Sequence, residues 1–294
     1  MATYKKIAAV LFLGIILGAA AARAQEDAKG TLFIIGGGER SDALMSRFVE
    51  LAGGATASIV IIPMASETPQ DYAEGPAAQF RKLGAAKADW LIFEHGKADS
   101  PENLARMKTA TGVFFSGGDQ VRLCSFMNGT RLLEEVHRLY REGGVVGGTS
   151  AGAAVMSKVM LTGDDRQAVN GEDFAAIRSS SVVLAEGFGF LPPYIVADQH
   201  FLIRKRENRL ISVVLENPSL TGIGIDEATA LVVRPGGAAE VAGDSLVSVY
   251  DVSGAGPVST DAKGHLSARG ITLSLLKAGD KLDLRRLQPA PAAK

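Results

Sequence analysis

Apolar, β-branched runs alternate along the chain with amphipathic segments. Thr31–Ile35 closes on Gly36-Gly37-Gly38, Ser58–Ile62 closes on Pro63, and shorter runs follow at 90–93, 113–115 and 145–146. Runs this continuously apolar suit the strands of a parallel sheet covered on both faces. Between them the pattern predicts helices at about 41–53, 70–84, 101–109, 119–142 and 151–159. Strand and helix in regular alternation predict an α/β fold with a doubly wound, mostly parallel sheet. Past residue 220 the texture changes. Strands are predicted at about 223–233, 240–251 and 271–276, joined by turns such as Arg234-Pro235-Gly236-Gly237. They make a β-rich C-terminal extension packed on the same core, so that 25–287 form one α/β domain. The Pro- and Ala-rich tail 288–294 is expected to be disordered.

The N-terminus carries a different pattern. Lys5 and Lys6 precede an apolar stretch over 7–22, and Ala22-Arg23-Ala24 fits the small-x-small rule for cleavage. Residues 1–24 are expected to be a signal peptide, with the exported chain starting near Gln25 and bound for the periplasm or the medium. No other run is long and apolar enough to span a bilayer, so no membrane attachment is expected after cleavage. Of 31 Lys+Arg and 32 Asp+Glu, the leader holds three basic residues and no acidic one, which leaves 28 against 32, or −4. That balance gives no support for a nucleic-acid or anionic-membrane partner. Cys124 is the single cysteine, so an internal disulfide and a cysteine metal site are both excluded. Its apolar surroundings at 121–127 predict a buried structural thiol.

The chemistry concentrates at strand ends. Gly147-Gly148-Thr149-Ser150-Ala151-Gly152 follows an apolar run and precedes small residues, which predicts strand, tight turn and helix. Glycines two before and two after Ser150 give the spacing of a nucleophile elbow, where bulk would collide with neighbouring backbone. A phosphate-binding turn is the competing reading. A serine nucleophile needs a base, and the base an orienting group. Of the four histidines, His137 lies in a charged helix and reads as solvated, His95 in a polar loop, and His265 in a turn. His200 alone sits at the end of an apolar run, 195–199, ahead of a predicted helix at 201–217. Asp226 and Glu227 end a further strand, and either could orient an imidazole. The set Ser150, Asp226, His265, in the order of α/β-hydrolases, stays open at this point. In Gly117-Gly118-Asp119-Gln120, an N–H near Gly118 could complete an oxyanion hole with that of Ala151. Asp119 suits a helix N-cap. Gly36-Gly37-Gly38-Glu39-Arg40-Ser41 is no dinucleotide fingerprint, because Ser41 stands where the last glycine belongs.

Four stretches taken together, 147–152, 117–120, Asp198-Gln199-His200-Phe201 with the arginines after it, and Gly224-Ile225-Asp226-Glu227, resemble the cyanophycinase family of serine peptidases (S51). The resemblance implies a flavodoxin-like sheet related to class I glutaminases, usually in a dimer. It also implies cleavage of cyanophycin, the arginyl-poly-aspartate polymer, into β-Asp-Arg dipeptides, without metal or organic cofactor. By motif, Ser150 would be the nucleophile, His200 the base and Glu227 the triad acid. Gln120, Asp198 and Gln199 would line the pocket, and Arg204, Arg206 and Arg209 would bind the polymer. On a regular helix, however, Arg204 points with His200 while Arg206 and Arg209 face away, unless the helix begins late. An aspartyl dipeptidase, an esterase-like hydrolase and a non-catalytic binding protein on the same scaffold remain as alternatives.

Overall fold

The computed structural model describes residues 28–168 and 173–288; the expected signal peptide and residues 289–294 of the expected tail lie outside these. The first half runs β1 (Thr31–Ile35), α1 (Asp42–Leu51), β2 (Ser58–Ile62), α2 (Pro69–Lys82), β3 (Lys87–Trp90), α3 (Pro101–Lys108), β4 (Gly112–Phe115), α4 (Gln120–Met127), α5 (Arg131–Glu142), β5 (Val145–Thr149) and α6 (Ala151–Ala154). There follow β6 (Val159–Asp165), β7 (Val182–Glu186), β8 (Ile195–Gln199), α7 (Glu207–Glu216), β9 (Thr221–Ile225), β10 (Thr229–Val233), β11 (Ala238–Gly243), β12 (Val247–Asp251), β13 (Ser259–Thr260), β14 (Leu266–Ser267), β15 (Thr272–Leu276) and β16 (Lys281–Asp283).

The large sheet has the order β16-β11-β10-β1-β5-β4-β2-β3. Its strands from β1 to β3 in that order are parallel, and β10, β11 and β16 extend it antiparallel. Both faces are buried, as the unbroken apolar runs require. Along β1, Leu32 and Ile34 join one core cluster and Phe33 and Ile35 the other. α1 and α2 cover the second face, where Phe33, Phe48, Phe80 and Phe114 meet edge-on or tilted at 5.2–5.7 Å between rings. α3, α4 and α5 cover the first. A second sheet, β15-β12-β9-β8, is built on the parallel pair β8–β9.

Several elements depart from the sequence expectation. The helix expected over 119–142 is two, because Gly129 turns at φ 75° and Thr130 caps a new start through Leu133 N–H. The helix expected over 151–159 stops at Ala154. Its next carbonyls are taken by another segment, with Phe188 N–H donating to Val155 and Leu191 N–H to Met156. β3 lies at 87–90 rather than 90–93: it is an edge strand whose length is set by β2, paired Ser58↔Lys87 to Ile61↔Trp90. The run 223–233 divides into β9 and β10, which enter different sheets, and 240–251 divides likewise into β11 and β12. The first division leaves Asp226 and Glu227 at a corner between the two sheets. His137 is not solvated; it stacks on Phe190 at 4.2 Å, and burial pushes its pKa down to about 4. Cys124 is buried, as expected, and that burial raises its thiol to about 12.

Candidate active site

Two strand registers build the site. Ile35 of β1 stands beside Thr149 of β5, so the chain leaves both strands at one level and Ser150 N–H donates to Ile35 O at 3.1 Å. Gln199 of β8 stands beside Ile225 of β9, which brings the turns at 200 and 226 together in the same way. The two sheets then join through His200 N–H, which donates to Gly36 O at 2.6 Å.

The three strand-end glycines are the packing surface for this junction. A Cβ on Gly37 would come within 2.2 Å of the His200 ring, and one on Gly38 within 2.7 Å of Glu227. Both have positive φ (117° and 71°), so a side chain would be strained as well as blocked. The elbow glycines are constrained by backbone: a Cβ on Gly148 would sit 2.3 Å from Gly152 O, and one on Gly152 would sit 2.3 Å from Phe115 O. Ser150 itself is held at φ 55°, ψ −114°, and His200 at φ 48°. Strained φ/ψ of this kind persists where surrounding structure over-determines it, and it clusters at functional sites.

The side chains form a relay. Ser150 Oγ lies 2.8 Å from His200 Nε2, and His200 Nδ1 is hydrogen-bonded to Glu227 Oε1. With Nδ1–H donated to the glutamate, Nε2 is left to accept the serine proton. Burial lowers the His200 pKa, with Arg204 and Arg206 acting in the same direction and Glu227 opposing. The imidazole is therefore neutral at neutral pH, the form a general base needs.

The geometry separates the alternatives left open by sequence. Asp226 accepts from Leu202 N–H (3.1 Å), Ile203 N–H (3.0 Å) and Ser245 Oγ–H (2.7 Å), so it braces the turn after His200. His265 is paired with Asp261 at 2.9 Å in an exposed turn, and the set Ser150, Asp226, His265 is not assembled.

The remaining expected residues divide. The helix after His200 starts only at Glu207, after a run of turns over 201–205 with Lys205 at φ 51°. Arg204 is thereby released to the surface, 53% exposed, with Nε 3.8 Å from Glu227. Arg206 folds back to give Nη1–H to Gln199 O (2.9 Å) and Oε1 (2.8 Å); burial brings its pKa down to about 10. Gln199 is thus occupied in holding Arg206. Two expectations are overturned. Arg209 does not face a polymer: its side chain is 2% exposed and forks onto Asp198, 1% exposed, beneath Phe174. Asp198 accordingly does not line the pocket; its carboxylate is used by Arg209 and by Gln199 N–H. Gln120 is also committed, its Nε2 donating to the carbonyls of Leu161 (3.0 Å) and Thr162 (2.5 Å). The strand-to-helix geometry of the 117–120 turn is as expected, with Asp119 accepting from Val121 and Arg122 N–H.

A cavity of about 380 Å³ opens over the serine, lined by Ser150, His200, Gly117 and Gly118, and also by Arg40 and Asp71. Neither of the last two is among the residues expected from the sequence. Arg40 stood in the glycine-led stretch rejected as a nucleotide fingerprint, and its place just past a strand end was the available signal. Among the described residues no cluster of His, Cys, Asp or Glu could hold a metal ion.

Residues 32–241 match the model of peptidase family S51. The chain belongs to that family. This S51 peptidase is 36% identical over 269 residues to the cyanophycinase of Synechococcus elongatus, covering 88% of this chain and 81% of that one. It is 34% identical over 278 residues to the cyanophycinase of Trichormus variabilis, covering 92% and 91%. A peptidase from an acI-B1 Actinobacterium has a similar structure, with a TM-score of 0.64 at 24% identity over 87% of this chain and 97% of that chain. A putative peptidase E from Listeria monocytogenes EGD-e superposes with a TM-score of 0.52 at 15% identity, over 74% and 99%. These two share the fold. The S51 peptidase is a serine hydrolase of mixed α/β architecture with added C-terminal strands.

Proposed function

We propose that this chain is an exported serine exopeptidase that hydrolyses cyanophycin to β-Asp-Arg dipeptides through an acyl-enzyme. The observation that carries the mechanism is the unbroken relay from Ser150 Oγ through the His200 ring to Glu227. Ser150 Oγ attacks the carbonyl of the scissile bond as His200 Nε2 takes its proton, and Glu227 stabilises the imidazolium. The N–H groups of Gly118 and Ala151 donate to no acceptor among the described residues, which leaves them for the oxyanion. His200 then returns the proton to the leaving amine, and water releases the acyl group by the reverse sequence.

The substrate class follows the relatives that are cyanophycinases, and the charges at the site suit it. Cyanophycin carries a free carboxylate and a guanidinium on every repeat. Arg204 stands exposed beside the triad, and Arg206 forms no ion pair among the described residues. Both are placed to meet carboxylates along the polymer. Export fits a polymer too large to enter a cell, and a homodimer is the assembly we expect.

The test is mass spectrometry of products from purified cyanophycin. β-Asp-Arg dipeptide from the native protein, with turnover falling by about 10⁴-fold or more in Ser150→Ala at unchanged fold, is the expected result. Free arginine as the sole product, or activity retained without the serine, would overturn it. Cleavage confined to short aspartyl peptides would make the protein an aspartyl dipeptidase instead.

A further inference from the structure

Among the described residues, four buried side-chain polar atoms have no hydrogen-bond partner: Arg40 Nε, Thr149 Oγ1, Arg178 Nε and Ser248 Oγ. Two of the four belong to Arg40 and Thr149, residues that line the cavity over Ser150. Buried polar atoms are satisfied almost everywhere in folded proteins, so two orphans in one reactive pocket need a reason. Arg40 is the sharper case. Its guanidinium makes no ion pair and no hydrogen bond among the described residues, and burial pulls its pKa below the ordinary arginine value. Its backbone, by contrast, is held firmly. Arg40 O accepts from Gln79 Nε2 of α2 at 2.9 Å, and Ser41 next to it caps α1 through Leu44 N–H at 3.2 Å. A side chain fixed at its root, half-buried and left without an anion is prepared for an anion that arrives from outside. Asp71 stands in the same cavity, exposed and unpaired with Arg40. The cavity therefore presents a cation and an anion separately, the inverse of a ligand that carries both a carboxylate and a guanidinium.

Resting on the β-aspartyl-arginine reading above, we infer that Arg40 is a specificity residue. Its guanidinium binds the free α-carboxylate of the arginine in the unit being cleaved, with the Thr149 hydroxyl as a second donor to the same group. No chemistry is asked of it; it orients the unit so that the scissile carbonyl lies against Ser150.

Two peptides, each of two β-Asp-Arg units joined through the aspartate backbone, test this, one with the arginine carboxylates free and one with them converted to the amides. The native protein should prefer the acid over the amide by about 10- to 100-fold in kcat/KM, the usual size of one charge-assisted contact. Arg40→Gln should raise KM for the acid by a similar factor, hold kcat within about threefold and bring the acid-to-amide preference close to one. Arg40→Lys should restore part of the preference. Labelling of Ser150 by a fluorophosphonate at the native rate checks that the triad survives each substitution. A native protein indifferent to the amide, or an Arg40→Gln variant that keeps the preference, overturns the role of Arg40 and leaves the proposed function standing. If neither peptide is cleaved while Ser150 still labels, the substrate reading fails and takes this inference with it.

Discussion

Arg209, fully buried, and Arg40, half-buried, are two arginines in contrasting surroundings. Arg209 lies under the His200 turn, where its fork meets Asp198, both carboxylate oxygens are used, and the Phe174 ring closes the side. Arg40 lines the cavity over Ser150 and finds no anion among the described residues. The first charge is neutralised within the fold and shapes the backbone that presents His200. The second is left for a ligand. Burial of a charge is therefore not by itself evidence for structure or for function; the presence or absence of an internal partner decides.

Substitutions can break this contrast. Asp198→Ala strands a buried cation and should cost about 3–5 kcal/mol in chemical denaturation, with activity falling because the His200 turn loosens. Replacing both members, Asp198→Leu with Arg209→Met, should recover most of that loss. If the single substitution were harmless, the pair would not be holding the turn. Arg40→Gln removes no internal partner, and its stability should lie within about 0.5 kcal/mol of the native protein or slightly above it. A loss as large as that for Asp198→Ala would make Arg40 structural and remove the contrast.

The smallest effect concerns the cations near His200. Its pKa is lowered first by burial and further by Arg204 and Arg206, so activity should rise with pH through a midpoint below the ordinary histidine value of about 6.5. Arg204→Gln takes away one positive neighbour that disfavours the imidazolium. The acid limb of kcat/KM should then move to higher pH, by an amount damped by the exposure of Arg204. An unmoved or lowered midpoint would show that the cation does not act on the imidazole.

The parts of the site that sit at strand ends were legible from the chain. Ser150, His200 and Glu227 each follow an apolar run, and the resemblance chose Glu227 over Asp226 before the hydrogen bonds of Asp226 to 202 and 203 gave the physical reason. Arg209 was assigned to the polymer by the resemblance, although a helix begun at residue 201 already turned it away from His200; the helix in fact begins at Glu207. The turns at 201–205 are stabilised by Asp226, a residue more than twenty positions away, and local propensity carries no trace of it. Gln120 was expected in the pocket, and its amide nitrogen holds β6, a contact across 41 positions. Arg40 was overlooked because its stretch was tested only against a nucleotide motif.

The sequence by itself determined the layered α/β fold, the glycines at the strand ends and the residue types of the relay, since these follow from periodicity, steric room and local turn chemistry. The tertiary structure alone decided which charges are spent and which are free. That Arg209 finds Asp198, while Arg40 finds no anion among the described residues, depends on strand register and the meeting of two sheets, and ion pairing acts over a few ångströms in space, with no regard to distance along the chain.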